Sequence, residues 1–294
     1  MNKIFITILA SVIIAGTSIA GTGAAGKIDV LSYDVSIDLR QCLESPYPKS
    51  YKAKAGIRIK ALQELSTIEL DAKNFSLTID EVKGNAAKFT HFGNLLRVDL
   101  DRSYSEGEEF ALTVQYRHKD VFDTAFYCFD GIVYTDCETA GARSWLPCND
   151  VPSDKALLTL KAVVPEDVQF CSNGILRDST AVNGKVTYSY ESIHPISTYL
   201  IAFVASEKYM LAVQDWEYAD KTRGSMQVRY YYQRGETMFN LRNILQKTGR
   251  MLDFFSEIYC DYPFEKLAFA TTDRHFPWGG MENQTLVTLC PDCW

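Results

Sequence analysis

The segment Phe276-Pro277-Trp278-Gly279-Gly280-Met281-Glu282-Asn283-Gln284-Thr285 sets two adjacent glycines, a carboxylate and a carboxamide at the close of an extended stretch. Paired glycines weaken a strand interior, because they carry maximal backbone entropy and no side chain to pack. Some other demand, such as the close approach of a second backbone, has to account for them. A glutamate taken alone, whether Glu282 or Glu138, reads as a solvated surface charge. Four histidines are present, His91, His118, His194 and His275. None has a second histidine one helical turn away with a glutamate between, the H-E-x-x-H spacing that holds zinc. His275 stands four residues before the glycines, and a single loop histidine reads as hydrogen-bonded or solvated rather than catalytic.

Cys290-Pro291-Asp292-Cys293 has the spacing of half a zinc ribbon or of a redox pair. No second C-x-x-C and no thioredoxin-like βαβ pattern accompanies it, so a local or structural disulfide is the expectation. The eight cysteines, at 42, 128, 137, 148, 171, 260, 290 and 293, fit an exported chain in which disulfides persist, although spacing alone does not choose their pairing. Gly21-Thr22-Gly23-Ala24-Ala25-Gly26 matches the dinucleotide fingerprint G-x-G-x-x-G. Its last glycine would have to open a helix that holds a pyrophosphate. The residues that follow alternate instead, Tyr33, Val35, Ile37 and Leu39 apolar against Asp34, Ser36, Asp38 and Arg40, which is a strand and excludes the nucleotide site.

The positioning elements follow from length and periodicity. At 294 residues, with 47% hydrophobic and 23% charged residues, the chain is a globular protein of roughly two domains rather than a disordered or fibrous one. A net charge of −7 argues against a nucleic-acid or anionic-membrane partner, which requires a basic face. Residues 1–20 have the build of a secretory signal peptide: Lys3 near the start, an apolar run over 4–15, and the small-x-small site Ser18-Ile19-Ala20. The run is shorter than the ~20 residues of a membrane span. Export to a periplasm or the extracellular space is expected, with no stable membrane anchor after cleavage. From 27 to 235 strand follows strand, with Ala53, Ala55, Ile57 and Ile59 alternating with lysines and arginine, and turn signals at Gly84-Asn85, Gly93-Asn94 and Asn183-Gly184. Over 236–259 the apolar residues Met238, Leu241, Leu245, Leu252, Phe255 and Tyr259 take helical spacing, read as a core-packing stripe, and a second domain is expected over 236–294.

Gly279-Gly280-Met281-Glu282-Asn283 resembles the G-[AG]-M-E-N motif of zinc aminopeptidases of the aminopeptidase N type, a gluzincin metallopeptidase family. An independent stretch agrees. Thr135-Asp136-Cys137-Glu138-Thr139-Ala140-Gly141-Ala142-Arg143, then Trp145-Leu146-Pro147-Cys148-Asn149-Asp150-Val151-Pro152, resembles that family's second N-terminal signature. The stretches 195–203 and 262–266 are similar to two more, in the same order. Leu146, Asn149 and Val151 depart from the usual residues, at positions that look structural in the family.

The resemblance implies a mainly β N-terminal domain of antiparallel, saddle-like sheets, followed by the start of an α+β thermolysin-like catalytic domain that ends before its zinc helix. It implies zinc in the intact enzyme and, as substrates, peptides with a free N-terminus. Glu282, with Glu138 beside it, would hold the substrate ammonium. Gly279 and Gly280 would let an extended substrate lie close, with Met281 and Asn283 in the same binding segment. This chain, lacking H-E-x-x-H, is expected to bind no zinc and to be inactive alone. Arg143 and Asp150 are expected in structural ion pairs. Asn283-Gln284-Thr285 and Asn74-Phe75-Ser76 also match glycosylation sequons, and the site reading is preferred for the first. Two other classes stand beside this one: a non-catalytic exported peptide-binding module derived from such an enzyme, and a thiol-redox protein using Cys290 and Cys293.

Overall fold

Alternation decides the strands and their inward faces. In the stretch from Lys52 to Ala61, Ala53, Ala55, Ile57 and Ile59 are buried while Lys52, Lys54 and Arg58 are exposed. Each fully buried Val, Leu or Ile stabilises by roughly 1.5–3 kcal/mol. The computed structural model describes residues 26–233, 238–273, 276 and 279–291. The signal peptide expected over 1–20, His275 and Cys293 lie outside these, as do the side chains of Met238, Leu241 and Leu245.

Among the described residues the strands are β1 (Ile28–Asp38), β2 (Lys52–Ala61), β3 (Leu65–Asp71), β4 (Leu77–Gly84), β5 (Ala86–Phe92), β6 (Leu95–Tyr104), β7 (Glu109–His118), β8 (Phe126–Phe129), β9 (Ile132–Thr135), β10 (Lys155–Pro165), β11 (Gln169–Ser172), β12 (Ile175–Val182), β13 (Lys185–Glu191), β14 (Ile196–Ser197), β15 (Phe203–Ser206), β16 (Tyr209–Glu217) and β17 (Ser225–Gln233); then come helix α1 (Met238–Ile258), β18 (Leu267–Thr271), β19 (Gly280–Met281) and β20 (Leu286–Leu289). The largest sheet runs β12-β13-β10-β1-β2-β7-β4, with β14 added to β10. It is antiparallel except for the β1–β10 pair, which is parallel. Two smaller sheets, β3-β6-β5 and β11-β15-β9-β8, share one hydrophobic core with it.

A further sheet runs β16-β17-β18-β20-β19 and is mixed, with β17–β18 and β18–β20 parallel. Parallel neighbours need a crossover, and α1 supplies it between β17 and β18. The domain division expected at 235 falls between β17 and α1, yet β16 and β17 pair into the later sheet rather than with any strand before them. Alternation marks a strand without naming its partner.

Helix α1 differs from its expected packing. Leu252 and Thr248 are buried, and Ile244 packs with them against the cluster of Trp216, Tyr218, Val228 and Tyr230. Phe255 and Tyr259, expected in the core, are 49% and 77% exposed, and with Met251, Phe254 and Ile258 they form an open apolar stripe. The helix is apolar on two faces, and only one meets the sheet among the described residues. No described helix is long and apolar enough to cross a membrane.

Candidate functional site

The residues after β9 leave the sheet at Thr135 and turn back on themselves. The Gly141 N–H donates to the Cys137 carbonyl at 2.9 Å, a short 3-10 turn covers Ala142–Ser144, and Trp145 Nε1 donates to Cys137 Sγ at 3.1 Å. Arg143 anchors the turn. Its Nη1 lies 2.8 Å from Asp71 Oδ1 and its Nε 2.9 Å from Asp150 Oδ2, all three side chains being nearly or wholly buried. Asp150 Oδ1 also accepts from Thr198 Oγ1 at 2.9 Å, which ties in the 195–203 stretch. Burial raises the Asp71 carboxyl above its ordinary range, opposed by the Arg143 guanidinium. The ion pair expected for Arg143 and Asp150 is therefore present, extended by Asp71. Leu146 and Asn149, two of the departures, are buried core positions. From this braced turn Glu138 projects into solvent.

The glycine segment belongs to the later sheet. β19 pairs antiparallel with β20, Gly280 opposite Leu289 and Met281 opposite Thr288, and it is the last strand of its sheet. A Cβ on Gly280 would sit 2.8 Å from Leu289 Cδ2, so packing gives this glycine a role of its own. Met281 is buried in the core that also holds Tyr134 and Cys137, and Glu282 faces solvent. Asn283 is 2% exposed, which disfavours its sequon as a glycan site; its Nδ2 donates to Thr288 Oγ1 at 3.1 Å, and its Oδ1 has no partner among the described residues.

Two groups of contacts fasten this segment to the β-domain. Asn173 Nδ2 donates to the Gln284 carbonyl at 2.5 Å and to the Leu200 carbonyl at 3.0 Å, and the Gly174 N–H donates to Thr285 Oγ1 at 2.7 Å. Phe276 meets Tyr134 edge to face, with ring centroids 6.0 Å apart. Lys266, buried, donates to the Ser172 carbonyl, and desolvation holds its amine below the ordinary lysine range. The four stretches that carry the resemblance thus meet through Asp150, Asn173, Gly174 and Lys266.

Of the expected site residues, Glu138 and Glu282 are both exposed, and neither carboxylate has a hydrogen-bond or ion-pair partner among the described residues. Near them, Tyr134 and Phe276 meet edge to face and Met281 is buried in the same core. Around Tyr134 and Tyr127, burial comes first and the Asp136 and Asp273 carboxylates add to it, raising both phenols, Tyr127 to about 12. Tyr134, Asn173 and Gly174 were not foreseen. An Asn-Gly pair is a turn signal, but what it docks against is not legible in the chain.

The described histidines hold structure. His118 sits between Asp123, 2.7 Å from Nε2, and the Lys49 carbonyl; His91 contacts the Ala72 carbonyl, and His194 stacks edge-on to Phe264. The seven described cysteines are all free thiols. Among the described residues no group of three or more His, Cys, Asp or Glu is placed to hold a metal. The described residues therefore do not fit a zinc site.

The Peptidase M1 N-terminal domain matches residues 30–200. Aminopeptidase N of Rattus norvegicus is 30% identical over 209 residues, covering 66% of this chain and 21% of the relative. Leukotriene A-4 hydrolase of Xenopus laevis is 23% identical over 272 residues, 83% of this chain and 41% of the relative. The chain thus spans well under half the length of both. The crystal structure of an M1 zinc metallopeptidase from Deinococcus radiodurans superposes with a TM-score of 0.77 at 22% identity, over 90% of this chain and 60% of that one, which establishes the shared fold. With more than half its length matched by the family's N-terminal domain, the chain belongs to the M1 peptidases, as an N-terminal portion of the aminopeptidase N type.

Proposed function

We propose that this chain is the amine-recognising part of a zinc aminopeptidase that removes residues from peptide N-termini. The observation that carries the reading is a sheet edge, β19, followed by the exposed Glu282, together with the exposed Glu138 on the braced turn after β9, neither carboxylate having a partner among the described residues. An extended peptide added along that edge gains backbone hydrogen bonds. Its terminal ammonium meets the Glu282 and Glu138 carboxylates. An internal peptide nitrogen is neutral and would leave both carboxylates desolvated and unpaired, and this difference would restrict the site to free N-termini. Asn283 keeps the segment in register through Thr288, and Gly279 and Gly280 keep the edge bare.

The relatives support the chemistry: rat aminopeptidase N by its name, and a variant of the Deinococcus enzyme by its crystal structure with a Tyr-Ser-Ala substrate. Zinc is expected in the intact enzyme, and the described residues do not supply its ligand set. The open apolar stripe on α1 supports further polypeptide packing there in the intact enzyme. Strand pairing favours a domain junction between β15 and β16. The leader supports export.

The test is hydrolysis of an aminoacyl-nitroanilide by the purified product of the whole gene, with its zinc content measured alongside. Turnover with bound zinc supports the reading. A product that folds and binds peptides without zinc or turnover is the non-catalytic module instead.

A further inference from the structure

Cys42 and Cys128 lie 86 residues apart in the chain, and the fold sets them against each other. Cys42 sits in the short 3-10 turn Gln41–Leu43 after β1, and Cys128 is in β8. Cys128 Sγ is 3.0 Å from the Cys42 carbonyl and 3.3 Å from that of Tyr47. Cys42 Sγ is 3.3 Å from the Ser50 carbonyl. The two side chains are near enough for each to shift the ionisation of the other. Both are buried, Cys128 the less completely, and Lys49 stands close enough to favour its thiolate. No other pair among the seven described cysteines is joined in this way.

We propose that Cys42 and Cys128 form a disulfide that pins β8, and through it the strand leading to Glu138, to the β1–β2 connection. The oxidant is a low-molecular-weight disulfide such as glutathione disulfide. The Cys128 thiolate attacks one sulfur of the oxidant, forming a mixed disulfide and releasing one thiolate. The Cys42 thiol loses its proton to that thiolate and attacks Cys128 Sγ, forming the intrachain S–S bond and expelling the second thiolate, which takes up the proton that Cys128 released on ionising. Two protein thiols are oxidised and one small disulfide is reduced to two thiols. The inference is independent of the aminopeptidase reading.

A cross-link closing a loop of this length raises the unfolding midpoint of a domain this size by about 10 °C. The experiment incubates the purified chain with glutathione disulfide, alkylates it in denaturant without reductant, and maps the peptides. The expected result is a linked pair containing Cys42 and Cys128, and a midpoint about 10 °C above that of the dithiothreitol-treated protein. In Cys42→Ser and Cys128→Ser the redox-dependent shift is lost while the reduced-state midpoint stays near that of the reduced parent. Full alkylation of both thiols after oxidation overturns the proposal, as does linkage of either to a different cysteine. If the serine variants fail to fold, the peptide map of the parent alone decides.

Discussion

Replacing Arg143 by methionine is the sharpest probe of how the Glu138 turn is held. Methionine keeps much of the stem volume and removes only the guanidinium, leaving Asp71 and Asp150, 2% and 0% exposed in their side chains, without their cation. Breaking one partner out of a buried charge cluster costs about 3–5 kcal/mol, because the stranded carboxylates keep their desolvation penalty. For a fold of this size each kcal/mol moves the midpoint by about 2–4 °C, so a fall of about 6–20 °C is expected at pH 7.5. The penalty has a sign in pH. Without Arg143 nothing offsets the burial that raises the Asp71 carboxyl, which then keeps a proton that the unfolded chain loses near pH ~4, so the variant's stability falls as pH rises. The gap to the parent should therefore narrow by half or more at pH 4.5. Thermal unfolding followed by far-UV circular dichroism at the two pH values measures both. A loss below ~1 kcal/mol, or a gap unchanged by pH, refutes the view that this cluster braces the turn.

Two more perturbations test other parts of the fold. Burial, reinforced by Asp29 and opposed by bonds from Asn149 and Val30, raises the Asp154 carboxyl to about 6 from 3.8. The native state thus keeps a proton between these values that the unfolded chain gives up, so this group's contribution falls as pH rises from 3.8 to 6. At a half-buried site the fall amounts to about 1–2 kcal/mol after solvent screening. Asp154→Asn should flatten that part of the urea-derived stability profile, and an unchanged slope would assign it to another group. Gly174 has φ +74°, and a Cβ there would lie 2.1 Å from the Glu191 carbonyl oxygen. Gly174→Ala should cost about 2–4 kcal/mol and loosen the Gln284–Thr285 contact. Gly107→Ala, at φ +87° with open space around it, should cost only about 1 kcal/mol. Equal losses from the two would refute the steric explanation.

Much of the architecture was legible because alternation reports burial directly: β2 and β7 run where Ala53 to Ala61 and Phe110 to Tyr116 alternate. The change of period at 236–259 likewise marks α1. What alternation cannot report is pairing. β16 and β17 look like any other strands in the sequence and yet belong to the later sheet, and β10 joins β1 in parallel from far along the chain. Periodicity also mistook Phe255 and Tyr259 for core, since an apolar stripe looks the same whether or not a neighbour covers it. At the site, Glu138 and Glu282 stood out only through the motifs around them. Asn173, Gly174 and Tyr134, which bring the two segments together, are ordinary residues until the tertiary contacts are seen.

In the proposed function, Glu138 and Glu282, without partners among the described residues, read a free amine. Between pH ~4.3 and ~8 a glutamate and a peptide's α-amino group carry opposite charge. A charge-assisted bond of about 1.5–3 kcal/mol corresponds to roughly ten- to more than a hundredfold in rate. The decisive measurement is kcat/KM in the full-length enzyme for a free-amine peptide and its N-acetylated form, in the parent, Glu138→Ala, Glu282→Ala and the double variant. Each single variant should lose about ten- to a hundredfold on the free amine and most of its discrimination against the acetylated form. The double variant should lose less than the product of the two, because both carboxylates serve one ammonium. Parent-like kinetics in Glu282→Ala with discrimination intact would contradict the account.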